Sequence, residues 1–443
     1  MSSSTTAPRF GLFTLAAVVV ANMVGAGIFT TSGFSLADLG TPERVMWAWL
    51  IGGLIALTGA VSYGMLSRRM AESGGEYLYL SKTIHPLAGF IAGWVSLLAG
   101  FTGAIAFAAT ALESYLVPPE VRPDWLAPDT VAIAAVIIGG LMHGIRAKSG
   151  ALWQNIAVVL KVLILAAFAL FAAYLLVSGG WPADGGTGGE APPFSVSTFA
   201  MSLVWISLSF SGFNAAVYMA GEAKEPKKTV PRALLLGTLA VTVIYLALNA
   251  IFVYAPPHSA VAGAEDVAAV AARTLGGESF MVAARLTIAL ALFTSVSSMV
   301  MAGPRVYARM AEDRLMPQLF EFNGRVPRAA IAFQVVLATV FILVSGLQDL
   351  LSYLGFTLSL SAAAAVSGLF VVHWREGEAP ATSRAYPWVP AIFVVATVGL
   401  AILAARQNPA EITATVLTVV TGTILYWIIK IRQGGEPAKP GET

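Results

Sequence analysis

Val20-Ala21-Asn22-Met23-Val24-Gly25-Ala26-Gly27-Ile28-Phe29 sets two glycines two residues apart inside a hydrophobic run long enough to span a membrane. Glycine costs a helix about 1 kcal/mol relative to alanine and leaves the backbone without a shielding side chain. In lipid an exposed peptide group is expensive, so non-helical backbone at that depth persists only where protein buries it or where it lines a cavity. The stretch therefore reads either as a helix break beside a binding site or as a close packing seam between helices, since small residues serve both.

The surrounding chain is a membrane protein by composition. Its 443 residues are 57% hydrophobic and 11% charged, with a mean hydropathy of +0.77, a balance foreign to soluble domains of this size. Apolar runs of the ~20 residues a span needs fall at 11–37, 45–66, 87–116, 130–144, 152–177, 199–218, 232–254, 280–306, 329–345, 350–373, 388–405 and 412–431, twelve in all. Residues 1–8 are polar and small and no A-x-A cleavage site follows the first run, so that span is expected to be retained. The chain has no cysteine, which excludes a thiolate metal site and a disulfide-linked partner subunit. With four scattered histidines, neither a metal nor a cofactor is expected. The spans contain no H-E-x-x-H, no paired mid-span aspartates and no ring of charge, so an enzyme or a channel has no supporting signal.

Charge placement orients the chain. With the N-terminus inside, 20 basic residues fall on the cytoplasmic side and 4 (Arg44, Arg122, Arg273, Arg406) outside, while Lys161 and Arg285 fall within spans. That asymmetry follows the positive-inside rule and predicts a multi-pass protein of the cell membrane with both termini cytoplasmic. The Gly/Pro-rich external segment 178–195 reads as a flexible connection. Residues 257–277 read as a surface helix capping the external side.

The sixth run repeats the anomaly of the first: Val204-Trp205-Ile206-Ser207-Leu208-Ser209-Phe210-Ser211-Gly212-Phe213-Asn214 places serines, a glycine and an asparagine at mid-span. Two interrupted spans five apart are the pattern of inverted-repeat transporters, in which half-helices meet around a midplane substrate.

Four motifs in order then carry a resemblance: Val24-Gly25-Ala26-Gly27-Ile28-Phe29; Gly74-Gly75-Glu76-Tyr77-Leu78-Tyr79-Leu80 followed by Gly89-Phe90-Ile91-Ala92-Gly93-Trp94; Ser211-Gly212-Phe213-Asn214 with the segment from Gly221 to Arg232; and Pro304-Arg305-Val306-Tyr307 running to Pro317. Across roughly residues 10–374 the chain resembles the amino acid-polyamine-organocation superfamily. The resemblance implies an all-α polytopic protein with a leucine-transporter-type 5+5 inverted repeat and two extra C-terminal helices. The expected organisation is a cytoplasmic tail at 1–10, a first repeat at 11–177, an external linker at 178–197, a second repeat at 198–373, extra spans at 374–431 and a second tail at 432–443.

A zwitterion in low dielectric needs partners for both charges. Free amides opening the outer half-helix, at Ala26, Gly27 and Ile28 beside Gly25, suit a carboxylate. Free carbonyls near Asn22 and Met23, with those around Leu208, Ser209 and Ser211, suit the ammonium. The resemblance carries the same substrate-binding roles onto Met23, Ala26, Gly27, Leu208, Ser209 and Ser211. Leu208 stands where relatives carry an aromatic gate, so Phe210 or Phe213 is expected to close the site, and Asn214 aligns with a gating position. No acidic residue lies mid-span in the first, third, sixth or tenth run, which favours a neutral, apolar amino acid over a polyamine or cationic amino acid.

Lys161 lies about ten residues into its run, ~15 Å deep at 1.5 Å per residue, and ionisable groups at that depth are functional by default. The pattern Asn155 to Leu165 resembles sodium-independent members, whose lysine replaces a sodium ion. Its ammonium is then expected to face the carbonyls near Gly25 and the hydroxyls of Ser295, Ser297 and Ser298, and desolvation lowers a lysine pKa. The expectation is proton-coupled symport of amino acids, with exchange as the alternative. Three lesser expectations complete the reading: Arg285 anchors to head groups or pairs with Glu278, His143 and His373 sit at the interface, and Arg68, Arg69, Glu72 and Glu76 form either a charge network or solvated loop charges.

Overall fold

The computed structural model describes residues 10–145, 163, 166–182, 184–186, 192–312, 314–320, 328–376 and 384–432. Lys161, the pattern around it and most of both expected tails lie outside them. The helices in chain order are α1 (Leu12–Met23), α2 (Gly27–Leu39), α3 (Pro42–Arg69), α4 (Gly75–Thr83), α5 (Pro86–Leu116), α6 (Thr130–Ile145), α7 (Ala166–Ser178), α8 (Val196–Ser209), α9 (Pro226–Tyr254), α10 (His258–Val261), α11 (Val267–Glu312), α12 (Arg328–Val344), α13 (Leu347–Glu376), α14 (Trp388–Ala404) and α15 (Pro409–Arg432). No strand occurs among the described residues, and the chain is a nearly all-helical polytopic protein.

Sequence punctuation sets the helix ends. Prolines 42, 86 and 226 open α3, α5 and α9 at positions where a missing N–H costs nothing. The hydroxyls of Thr41 and Ser195 accept from Arg44 N and Thr198 N and cap α3 and α8. The carboxylate of Glu113, near the end of α5, accepts from the amides of Asp129 and Ala132 at 2.9 Å each and from Arg122 at 2.6 Å. That buried acid thereby caps the start of α6, where the helix dipole favours a negative charge.

Among the described residues six helices are long and apolar enough to cross a membrane, α3, α5, α9, α11, α13 and α15, and the pair α1 and α2, bent by 45°, makes a seventh. Shorter apolar helices α6, α7, α8, α12 and α14 overlap five other expected runs. Leucine, isoleucine, valine and tryptophan side chains stand exposed on α12, α14 and α15, a surface that lipid, not water, would cover.

The bundle interior is organised around α3, α8 and α9, with α9 along α1 and α3, α8 against α2, and α14 against both α3 and α8. Lipid tails are as apolar as leucine, so helix association depends on close packing and interhelical hydrogen bonds. One buried chain joins three helices. Trp49 Nε1 of α3 donates to Ser32 Oγ of α2 at 2.9 Å, Ser32 donates to Asn249 Oδ1 of α9, and Asn249 Nδ2 donates to the Tyr245 carbonyl at 2.8 Å.

At the end of the bundle that carries Arg68, Arg69, Lys227 and Lys228, called here the basic-rich end, Phe10 N–H donates to Glu222 O and Lys224 N–H donates to Phe10 O, both at 2.9 Å. This bridge ties the approach to α1 to the exit from the sixth run. The opposite end is sealed differently from the expectation. Residues 257–277 do not form a surface helix: Val261, Val267, Ala268, Ala269, Ala271 and Ala272 are buried, and Gly263 N–H donates to the Gly33 carbonyl of α2 at 2.9 Å. A side chain at Gly33 would collide with the Ala264 carbonyl, so the segment is a plug pressed onto α2. Arg285 accordingly pairs with Asp266 at 2.6 Å, and Glu278 pairs with Arg273.

Asn249→Ala leaves the Ser32 hydroxyl without its buried acceptor. The expected cost is about 1–2 kcal/mol, seen as a lower thermal unfolding midpoint in detergent; an unchanged midpoint would mean that the chain of hydrogen bonds carries no stability.

Candidate functional site

Two chain breaks face each other at the centre. α1 ends at Met23, Val24 is extended with ψ 90°, and α2 starts at Gly27 with no side chain capping its first amides. α8 ends at Ser209, and the chain runs through turns at 210–214 into a tighter helical segment, Ala215–Glu222. Gly212 holds φ 102° in that turn, a conformation that glycine adopts without strain. The start of α2 and the end of α8 are in direct contact, because a Cβ at Gly27 would strike Ser209 Oγ and come within 3.0 Å of its Cα. Thr31 Oγ1 and Ser209 Oγ lie 3.3 Å apart.

The orphan carbonyls at both breaks converge on one group that the sequence reading missed. The fully buried hydroxyl of Tyr245, on α9, lies 2.6 Å from Met23 O and 2.9 Å from Ser209 O. Its ring is packed edge-on to Trp49 and Phe210. A tyrosine in an apolar run of twenty residues has no sequence signature that separates it from ordinary core.

Below the breaks, towards the basic-rich end, lies a cavity of about 660 Å³. Of the predicted site residues, Asn22, Phe210, Ser211, Phe213 and Asn214 line it; Met23, Gly25, Ala26, Gly27, Ile28, Leu208 and Ser209 do not, being set in or beside the seam above it. The wall is largely apolar, with hydroxyls from Ser96, Ser207, Ser359 and Thr397. Two contributors escaped the sequence reading. α5 is wound as a π-helix over Ser96–Gly103, which turns Ser96, Gly100 and Phe101 to the cavity, and such bulges concentrate at functional sites. α14, expected as an appendage, supplies Phe393, Thr397, Leu400 and Ala401. The expected gate Phe213 is wedged between Tyr63, at 5.3 Å, and Phe393, at 6.1 Å between ring centres.

The cavity also holds a carboxylate that a search of the spans alone overlooked. Glu76, on the loop helix α4, is buried at 7% exposure and lines the wall. Tyr63 OH of α3 donates to Oε1 at 2.6 Å, Asn214 Nδ2 to the same oxygen at 3.1 Å, and Ser361 Oγ of α13 to Oε2 at 2.9 Å. Burial pushes the carboxyl above its usual range, and the three hydrogen bonds pull it back. The grouping of Arg68 and Arg69 with Glu72 and Glu76 is replaced by separate pairs: Arg69 meets Glu376, and Lys82 meets Glu72.

Of the pairing expected between Lys161 and three serines, Lys161 lies outside the described residues, and only the serines' own contacts are seen. Ser295 Oγ donates to the Ala291 carbonyl at 3.1 Å, Ser297 Oγ lies 2.8 Å from His143 Nε2, and Ser298 is also engaged. His143 is thus a buried interhelical contact, not an interfacial residue.

The site is shut at the basic-poor end. Tyr115 OH of α5 donates to the Phe29 carbonyl at 2.8 Å and accepts from Ala268 N–H of the plug at 3.3 Å. A pair of broken helices around a cavity that is sealed on one side is the architecture of a membrane transport protein.

The chain belongs to the amino acid permease family, whose sequence model matches residues 10–429. It is 23% identical over 432 residues to the human large neutral amino acids transporter small subunit 2, covering 95% of this chain and 80% of that protein. It is 26% identical over 401 residues to the serine/threonine exchanger SteT of Bacillus subtilis (strain 168), with 87% and 88% covered. Over 430 residues it is 22% identical to the human b(0,+)-type amino acid transporter 1, with 95% and 87% covered. Its activity is therefore amino acid transport.

Tyr245→Phe keeps the ring packing and removes the bridging hydroxyl, leaving two buried carbonyls without that donor. Amino acid flux in proteoliposomes is expected to fall about tenfold, the equivalent of one lost buried hydrogen bond; wild-type flux would show the bridge to be idle.

Proposed function

We propose that this permease carries neutral amino acids across the cell membrane by alternating access, with both termini cytoplasmic and the basic-rich end facing the cytoplasm. The observation that carries the reading is the meeting of the two breaks at Ser209 and Tyr245, directly above a largely apolar cavity. The α-carboxylate takes the amides of Ala26, Gly27 and Ile28, the ammonium takes the Met23 and Ser209 carbonyls, and the side chain extends towards Ser211, Phe210 and Phe213. Opening the seam between Gly27 and Ser209 admits the substrate; closing it, as here, expels the substrate towards the cavity.

For coupling we infer exchange, supported by the similarity to a serine/threonine exchanger. Proton-driven symport through Lys161 is the competing outcome, and cationic amino acid or polyamine transport is the competing substrate class. Proteoliposomes with a defined pH gradient and either empty or amino acid-loaded lumens separate these. Exchange predicts uptake that needs internal amino acid and ignores the gradient. Uptake into empty vesicles that follows the gradient and disappears in Lys161→Ala would establish symport instead. Uptake or competition confined to cationic amino acids or polyamines would overturn the neutral-substrate reading.

A further inference from the structure

Glu76 is the one carboxylate on the cavity wall among the described residues, and no basic side chain lies within salt-bridge distance of it among them. An isolated buried carboxylate is costly unless hydrogen-bonded or paired with a cation. Here three neutral donors from α3, α13 and the break after α8 hold it. An ionised carboxylate offers about four acceptor positions. Three are filled, leaving roughly one for a further donor.

The carbonyls that suit an ammonium at the breaks are engaged in this conformation. Met23 O and Ser209 O face the Tyr245 hydroxyl, and the seam above them is closed by Ser209 against Gly27. An ammonium within the cavity must find another acceptor. Glu76 is joined through Asn214 to the far end of the same break, so the route from the seam leads past it. We propose that Glu76 is a second ammonium-recognition site: the carboxylate receives the α-ammonium of the substrate once the seam has closed, on the basic-rich side of the breaks. This assignment rests on the amino acid transport reading and adds a stage to it. The two ends of the substrate then part company, because the carboxylate site at the start of α2 lies outside the cavity while an ammonium site lies within it.

The test uses fragments of the substrate on the full-length purified protein, read by ligand-dependent thermal stabilisation. Leucinamide, with its amine protonated, has the ammonium without the carboxylate; 2-hydroxyisocaproate has the carboxylate without the ammonium. Leucinamide is expected to bind wild type and E76D, and to bind E76Q at least about tenfold more weakly, the scale of one charge-assisted contact. Binding of 2-hydroxyisocaproate is expected to be equal in all three. Ser361→Ala provides an independent arm should E76Q fold poorly: removing one donor frees an acceptor position on Oε2, so leucinamide is expected to bind several-fold more tightly, whereas a purely structural Glu76 predicts weaker or equal binding. Equal leucinamide affinity in wild type and E76Q, or no gain in Ser361→Ala, overturns the proposal. If wild-type protein moves leucine in proteoliposomes while either of those results holds, this inference alone falls; if wild type moves no amino acid, the transport reading itself falls.

Discussion

A membrane helix that stops halfway must satisfy the peptide groups it frees, and in this protein the last carbonyls of both broken spans share a single phenol hydroxyl. The Tyr245 hydroxyl at Met23 O and Ser209 O holds the ends of α1 and α8 at one point. The contact of Gly27 with Ser209 lies beside it, and the Tyr245 ring packs on Phe210 in the turn at 210–214 that roofs the cavity. The tyrosine is itself fixed from behind, because its backbone carbonyl accepts from Asn249 in the chain of hydrogen bonds that runs through Ser32 to Trp49. A site built from backbone groups is thereby held by side chains that do not themselves line its cavity.

Much of this was legible in the sequence. The glycine pair at 25 and 27 and the polar cluster at 207–214 located both breaks, because each violates the expectation for an apolar span in a way that has few physical explanations. Helix starts were less well placed: α3, α5 and α9 open at prolines 42, 86 and 226, ahead of the expected runs that begin at 45, 87 and 232. What escaped detection depends on long-range placement. Glu76 sits on a loop helix between spans, and nothing local says that α4 folds back under the cavity. Tyr245 and the α14 residues Phe393 and Thr397 are ordinary core residues until the packing of α9 and α14 against α3 gives them neighbours. The charged residues at 266 and 285 misled for the opposite reason: the first fell in a segment read as a surface helix and the second was expected to anchor to head groups or pair with Glu278, yet they pair with each other at a plug whose alanines are buried.

The two ends of the site are held by different chemistry. At the basic-poor end the closure is made on backbone carbonyls, with Gly263 N–H donating to Gly33 and the Tyr115 hydroxyl to Phe29, reinforced by the Asp266 and Arg285 pair. Such contacts need a close approach and separate as a unit. Towards the basic-rich end the contacts are side-chain hydrogen bonds to Glu76 from α3, α13 and the break after α8, together with the bridge at Phe10. Because Asn214 belongs both to the break and to the Glu76 cluster, a shift in one is felt by the other, which is the mechanical requirement for a gate that responds to its substrate.

The central claim is that amino acids pass between the two breaks and the cavity beneath them. The chain contains no cysteine, so Ser211→Cys puts the sole thiol in the protein at the turn between seam and cavity. The account predicts that a maleimide labels this thiol in membranes and that a transported amino acid slows the labelling in proportion to its occupancy; labelling that proceeds at the same rate with and without a transported amino acid would contradict it.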